Sequence, residues 1–98
     1  MRNRTLAMVH ALGVLGGCGG AAPSVALNEA ASRVEEARIL GAEQLAPYEY
    51  DSAKEHLAEA EVEASRASYS NAVQLAVEAG QHADEAIARV HETQRAQP

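Results

Sequence analysis

Apolar residues recur at intervals of three and four from Leu27 to Val90, a spacing that predicts helices and leaves no period-two alternation for strands. Leu27, Ala30, Val34, Ala37 and Gly41 form a first stripe, widened by Ile39, Leu40 and Leu45, while Glu29, Glu35, Glu36 and Arg38 make a solvated side. The Ala46-Pro47 step ends this helix, because a residue before proline avoids the helical region. Pro47 suits the first turn of a second helix. Its stripe runs Tyr50, Ala53, Leu57, Ala60, Ala64 and Ala67. Glu49, Asp51, Glu55, Glu59, Glu61 and Glu63 cover its other faces, opposed only by Lys54 and Arg66. Turn and cap chemistry follows from Arg66 to Asn71, with Ser68 or Ser70 as the N-cap. A third stripe comprises Tyr69, Val73, Ala76, Gly80, Ala83, Ile87 and Val90, broadened by Leu75 and Val77. Glycine inside a helix costs about 1 kcal/mol against alanine, so Gly80 is expected to mark a close helix–helix approach.

These stripes define an all-α chain, with helices over about 26–45, 47–67 and 69–94 in a helical domain at 26–98. Short connections at Pro47 and Ser68 imply antiparallel neighbours. The architecture is an up-down-up three-helix bundle or an antiparallel helical hairpin with a looser first helix. A single long helix through Ser68 is the alternative, since nothing there strictly breaks a helix. The three–four spacing also suits a coiled coil, which allows assembly as a homo-oligomer.

The residues before this domain carry an address. Arg2 and Arg4 form a basic start, Leu6 to Leu15 an apolar stretch, and Gly16 and Gly17 a small-residue cut site, which together make a secretory signal. Leu15-Gly16-Gly17-Cys18 resembles a bacterial lipobox, in which the signal is removed just before a cysteine that carries diacylglycerol. That resemblance implies a signal peptide at 1–17, lipidation of Cys18 with acyl chains such as palmitate, and a Gly-, Ala- and Pro-containing tether at 18–25. An ordinary cleaved signal is the rival reading. A membrane-spanning helix needs roughly 20 apolar residues, and Leu6 to Leu15 supplies half of that with His10 in the middle. Cys18 is the sole cysteine, so no disulfide forms within the chain. Gly19 stands where aspartate would signal inner-membrane retention, which favours an outer-membrane lipoprotein facing the periplasm, with the inner membrane as alternative.

Removing the signal leaves about 80 residues, one small domain. The full chain carries a net charge of −6, and both signal arginines leave with the leader. An acidic domain without a basic cluster argues against nucleic acid and against direct adhesion to anionic lipid. With no Phe, no Trp and three Tyr, the core must be built from Ala, Val and Leu.

Chemistry is sparse. Glu78, His82 and Glu85 share a helical face, but zinc usually takes four ligands dominated by His or Cys, and no second histidine stands at helical spacing. The three are expected to form a solvated polar face, with no metal and no cofactor, and His56 is expected to be exposed. Ser32, Ser52, Ser65, Ser68 and Ser70 have no histidine–carboxylate arrangement that would make one of them a nucleophile. No Gly-rich loop follows a strand to cradle phosphate. Tyr48, Tyr50 and Tyr69 are the largest side chains. They are expected to pack at the bundle ends with hydroxyls in water, or to form a contact patch for a partner.

Ala46-Pro47-Tyr48-Glu49-Tyr50, followed by Ala53, Leu57 and Ala60 and then by Tyr69, Ala72, Leu75 and Ala76, resembles a family of small alanine-rich bacterial envelope lipoproteins. It is the family of unknown function numbered 4398, and the resemblance covers roughly Ala26 to Arg89. It implies a helical domain without an assigned activity. Tyr69-Ser70-Asn71-Ala72-Val73 after Ala64 and Ala67 is also similar to a tetratricopeptide helix-to-helix step, but such arrays need at least three units, so only hairpin packing is implied. The resulting expectation is a non-enzymatic, lipid-anchored envelope protein that acts as a helical interaction or structural module on an envelope protein partner. The alternative is a periplasmic lipoprotein that binds a small ligand or metal.

Overall fold

Alanine supplies most of the interior, and that choice sets how the helices meet. The computed structural model describes residues 23–97, which contain α1 (23–39), α2 (Ala42–Leu45), α3 (Pro47–Ser65) and α4 (Tyr69–Ala96). Among the described residues there is no strand. Cys18 and the leader lie outside the described residues.

One buried cluster joins Val34 and Ala37 of α1 and Ala42 of α2 to Tyr50 and Ala53 of α3 and Ala83, Ala86 and Val90 of α4. A second joins Ala30 to Ala60, Ala76 and Ala79. Moving up α1 from Ala30 to Ala37 therefore descends α3 in number and ascends α4. The bundle is up-down-up, and α1 packs on the α3–α4 hairpin. Arg33 donates to Asp84 between α1 and α4, and Arg89 donates to Glu49 at 2.8 Å between α4 and α3, which fits the same register. Leu57 touches both clusters.

Eleven of the fourteen buried apolar residues are alanine. Each buries little surface, worth roughly 25 cal/mol per Å², but alanine loses no side-chain entropy on folding. The centre of α4 is Ala72, Ala76, Ala79, Ala83, Ala86 and Val90, a spacing of four and three that keeps one narrow face inward. Larger Val73, Leu75 and Ile87 are only half-buried, and Val77 and Tyr69 are exposed. The expected α4 stripe shares Ala76, Ala83 and Val90 with this face, but Ala72, Ala79 and Ala86 are buried in place of Tyr69, Val73, Gly80 and Ile87, so the inward face is turned by roughly 50°. Small residues occupy the centre of the face because α4 must accept both other helices. Gly80 falls beside this face. The space where its Cβ would stand is empty out to 4 Å, so it does not mark the close approach expected of it.

Two connections differ from expectation for backbone reasons. The first helix does not continue to Leu45. Gly41 adopts φ 94°, the left-handed region open to glycine, and its N–H bonds the Arg38 carbonyl at 3.0 Å, so α1 stops and the short α2 restarts at Ala42. Ile39, counted with the core stripe, is therefore in solvent at 69 % exposure. At the other end α3 stops at Ser65. Ala67 takes φ 60°, its N–H bonds the Ala64 carbonyl at 3.1 Å, and the Ser68 N–H reaches Glu63 at 2.9 Å. This pair of bonds closes a helix through a left-handed residue. Ala67 is exposed and belongs to no stripe. Ser68 occupies the N-cap position of α4, but its side chain makes no capping bond. Residues 23–25, expected in the tether, are already helical.

No polar or charged residue is buried among the described residues. On the surface, Arg38 bonds Glu35 one turn back, and that hydrogen bond holds the Glu35 carboxyl below its usual range. Both side chains are exposed, so the pair contributes little.

Candidate functional site

His56 and His82 meet where α3 and α4 cross the middle of the hairpin. Their ring centroids are 4.7 Å apart with the planes tilted by 46°. The His56 Nδ1 lies 2.8 Å from the Ser52 carbonyl, one turn earlier on α3. Because a carbonyl oxygen only accepts, Nδ1 carries the proton and donates, which leaves the lone pair on Nε2 of the neutral ring. Nε2 stands 3.8 Å from Oε1 of Glu78, and Nδ1 of His82 stands 3.9 Å from Oε1 of Glu85. Both histidine side chains are about one-third exposed, at 32 % and 33 %. Neither carboxylate contacts an arginine or lysine among the described residues, whereas Glu35, Glu49 and Asp84 each do.

This meeting differs from the expectation that His56 is simply exposed. Linear spacing along one helix cannot show it. The turn could have: His56 and His82 each stand thirteen residues from Tyr69, and Glu49 and Arg89 each stand twenty from it. An antiparallel hairpin folding at that point brings both pairs together. Among the described residues, no group of three His, Cys, Asp or Glu side chains already converges as a metal site.

The tyrosines are not brought together. Tyr50 is 3 % exposed and packs in the interior, with Lys54 Nζ 5.1 Å from its ring centroid, so it is not available as a partner contact. Tyr48 is 79 % exposed at the start of α3, and Tyr69 is exposed at the start of α4. Those two positions lie at opposite ends of the hairpin, separated by roughly 25 Å of helix. The serines of the described residues serve the backbone where they bond at all. Ser52 offers its carbonyl to His56, and the Ser65 hydroxyl donates to the Val62 carbonyl at 2.7 Å.

The remaining concave surface is shallow. One groove between α1 and α4 is lined by Ala26, Ala30, Arg33, Val77, Gly80 and Asp84, with the Arg33–Asp84 ion pair lying along it. A polar groove between α3 and α4 is lined by Glu59, Glu63, Asn71, Gln74 and Glu78. Both are open to solvent. Among the described residues, no helix is long and apolar enough to cross a membrane.

No curated protein matches the chain, and no solved structure does. A family profile, by contrast, matches residues 25–97, from the first turn of α1 to the end of α4. That match takes in α2, α3, α4 and all but the first two residues of α1, with the alanine face between them, and on it the chain belongs to the family described as Domain of unknown function (DUF4398).

Proposed function

We propose that this chain is a lipid-anchored helical module of the cell envelope that acts by protein–protein contact. The observation that carries this reading is the Leu15-Gly16-Gly17-Cys18 step directly ahead of a small helical bundle. Two acyl chains, each methylene worth about 0.8 kcal/mol when buried, hold a protein stably on a bilayer.

The bundle topology then gives the module a direction. Only Gly19 to Ala22 separate Cys18 from the first described helical residue, Pro23, a distance of at most about 18 Å when extended. The start of α1, the end of α3 and the start of α4 share one end of the bundle, so a lipid on Cys18 would turn the Ser68 end toward the membrane. The opposite end, about 40 Å along α4, presents Ile39 and Tyr48, the most exposed large apolar side chains. Open, shallow grooves also suit contact better than enclosure of a small molecule, which needs a deep apolar cavity.

The test belongs in the native envelope. A photo-crosslinking residue at Ile39 or Tyr48 is expected to give a discrete adduct, and one at buried Ala53 none. Cys18→Ala is expected to abolish both membrane retention and the adduct. A chain that fractionates identically with and without Cys18, or that gives no adduct from either exposed position, contradicts the reading.

A further inference from the structure

We propose that His56 and His82 form a two-histidine site for a divalent transition metal ion that clips α3 to α4, a property independent of any anchor at Cys18. Imidazole nitrogen suits zinc, nickel and copper. A histidine that ligates through one nitrogen characteristically donates the other N–H to a carbonyl or carboxylate, which fixes the ring and its tautomer. His56 has that arrangement before any metal arrives. Its Nδ1 donates to the Ser52 carbonyl at 2.8 Å, so the lone pair of Nε2 is free and its direction is set.

The distances around Nε2 fit a shared ion. Two donors on a tetrahedral metal with bonds of about 2.0–2.1 Å stand roughly 3.3 Å apart. Nε2 and the Glu78 carboxylate are at 3.8 Å, too long for a hydrogen bond and a small side-chain rotation from that spacing. The His82 ring lies alongside, its centroid 4.7 Å from that of His56 and its plane tilted by 46°, near enough for a rotation about its side-chain bonds to bring a nitrogen to the same ion. Glu78 and His82 are four residues apart on α4, the spacing that puts two side chains on one face. With no third protein donor already converged, the ion would rest on the two imidazoles, draw in Glu78, and keep water in its remaining positions. One-third exposure leaves a path for a hydrated ion. Glu85, 3.9 Å from Nδ1 of His82, makes no hydrogen bond to that ring but adds a second carboxylate beside it. Binding moves no covalent bond. Any proton displaced from a ring nitrogen goes to solvent.

A metal that bridges two helices stabilises the folded chain alone, because the unfolded chain holds the two imidazoles apart. The experiment is thermal melting of the full chain in a non-coordinating buffer with Zn²⁺, and separately with Ni²⁺, each followed by EDTA. At metal concentrations far above the dissociation constant, the melting temperature is expected to rise by roughly 5 °C or more and to return with chelator. His56→Gln and His82→Gln should each abolish the rise, and His91→Gln, on exposed surface, should keep it. Helical circular dichroism of each variant confirms that it is folded. Titration of the folded wild-type chain, followed by the imidazole carbon-bound proton resonances, provides a second readout: those of His56 and His82 should shift together. No rise with either metal, a rise that survives His56→Gln or His82→Gln, or shifts confined to other histidines would overturn the site and leave a packing contact between two helices.

Discussion

Tyr50→Ala is expected to remove about 3–5 kcal/mol, the cost of deleting a large buried aromatic side chain. Tyr50 is the largest residue in an interior otherwise made of alanine and valine, and it packs with Ala37, Ala46, Ala86 and Val90 where all the helices converge. The alanines around it have no longer side chain to swing into the hole, and only Val34, Val90 and the half-buried leucines and Ile87 at the margin could relax toward it. A small domain has about 5–15 kcal/mol in total, which makes this one change the largest expected here. Tyr48→Ala, two residues away and in solvent, is expected to stay within about 0.5 kcal/mol. Urea unfolding of both variants beside the parent measures the contrast. Equal midpoints for the two would show that the interior was wrongly assigned.

The second large effect comes from neighbouring positions on α4 with opposite signs. Ala79 is fully buried against Ala30 and Ala60. Ala79→Leu must force helices apart or twist rotamers, at about 1–3 kcal/mol. Gly80 comes next in sequence, but a methyl group there enters open space. Gly80→Ala is expected to stabilise by about 0.8–1 kcal/mol through helix propensity alone. Thermal melting distinguishes the observed register of α4 from the stripe that runs through Gly80. In that second register Gly80→Ala would lower the melting temperature and Ala79→Leu would be tolerated.

Long-range order was legible in the sequence where it depends on repetition. Ala30, Val34 and Ala37 recur as a helix face should, and so do Tyr50, Ala53 and Ala60, and all are buried. Pro47 and the Ser68 region mark the two reversals. The centre of the α4 face is harder to read, because apolar bulk does not mark it. Val73 and Ile87 carry more apolar surface than Ala72 and Ala86, yet a helix gripped from two sides buries its smallest residues and sets larger ones along the rim. The break at Gly41 and the left-handed Ala67 are backbone conformations. The apolar period runs through both without a mark. Ala67 is hardest to foresee, since alanine pays a steric penalty in the left-handed region and gives no signal of a stop. The meeting of His56 with His82 depends on two helices and a turn together. It follows once the hairpin is folded about Tyr69, and no inspection of either helix alone yields it.

Everything proposed about location rests on lipid at Cys18, and intact-mass spectrometry of the protein extracted from its native envelope tests that most directly. The expected species begins at Cys18 and carries the added mass of diacylglycerol on that residue, with the leader gone. A mature chain that begins at another residue, or one that begins at Cys18 with a free thiol, would contradict it.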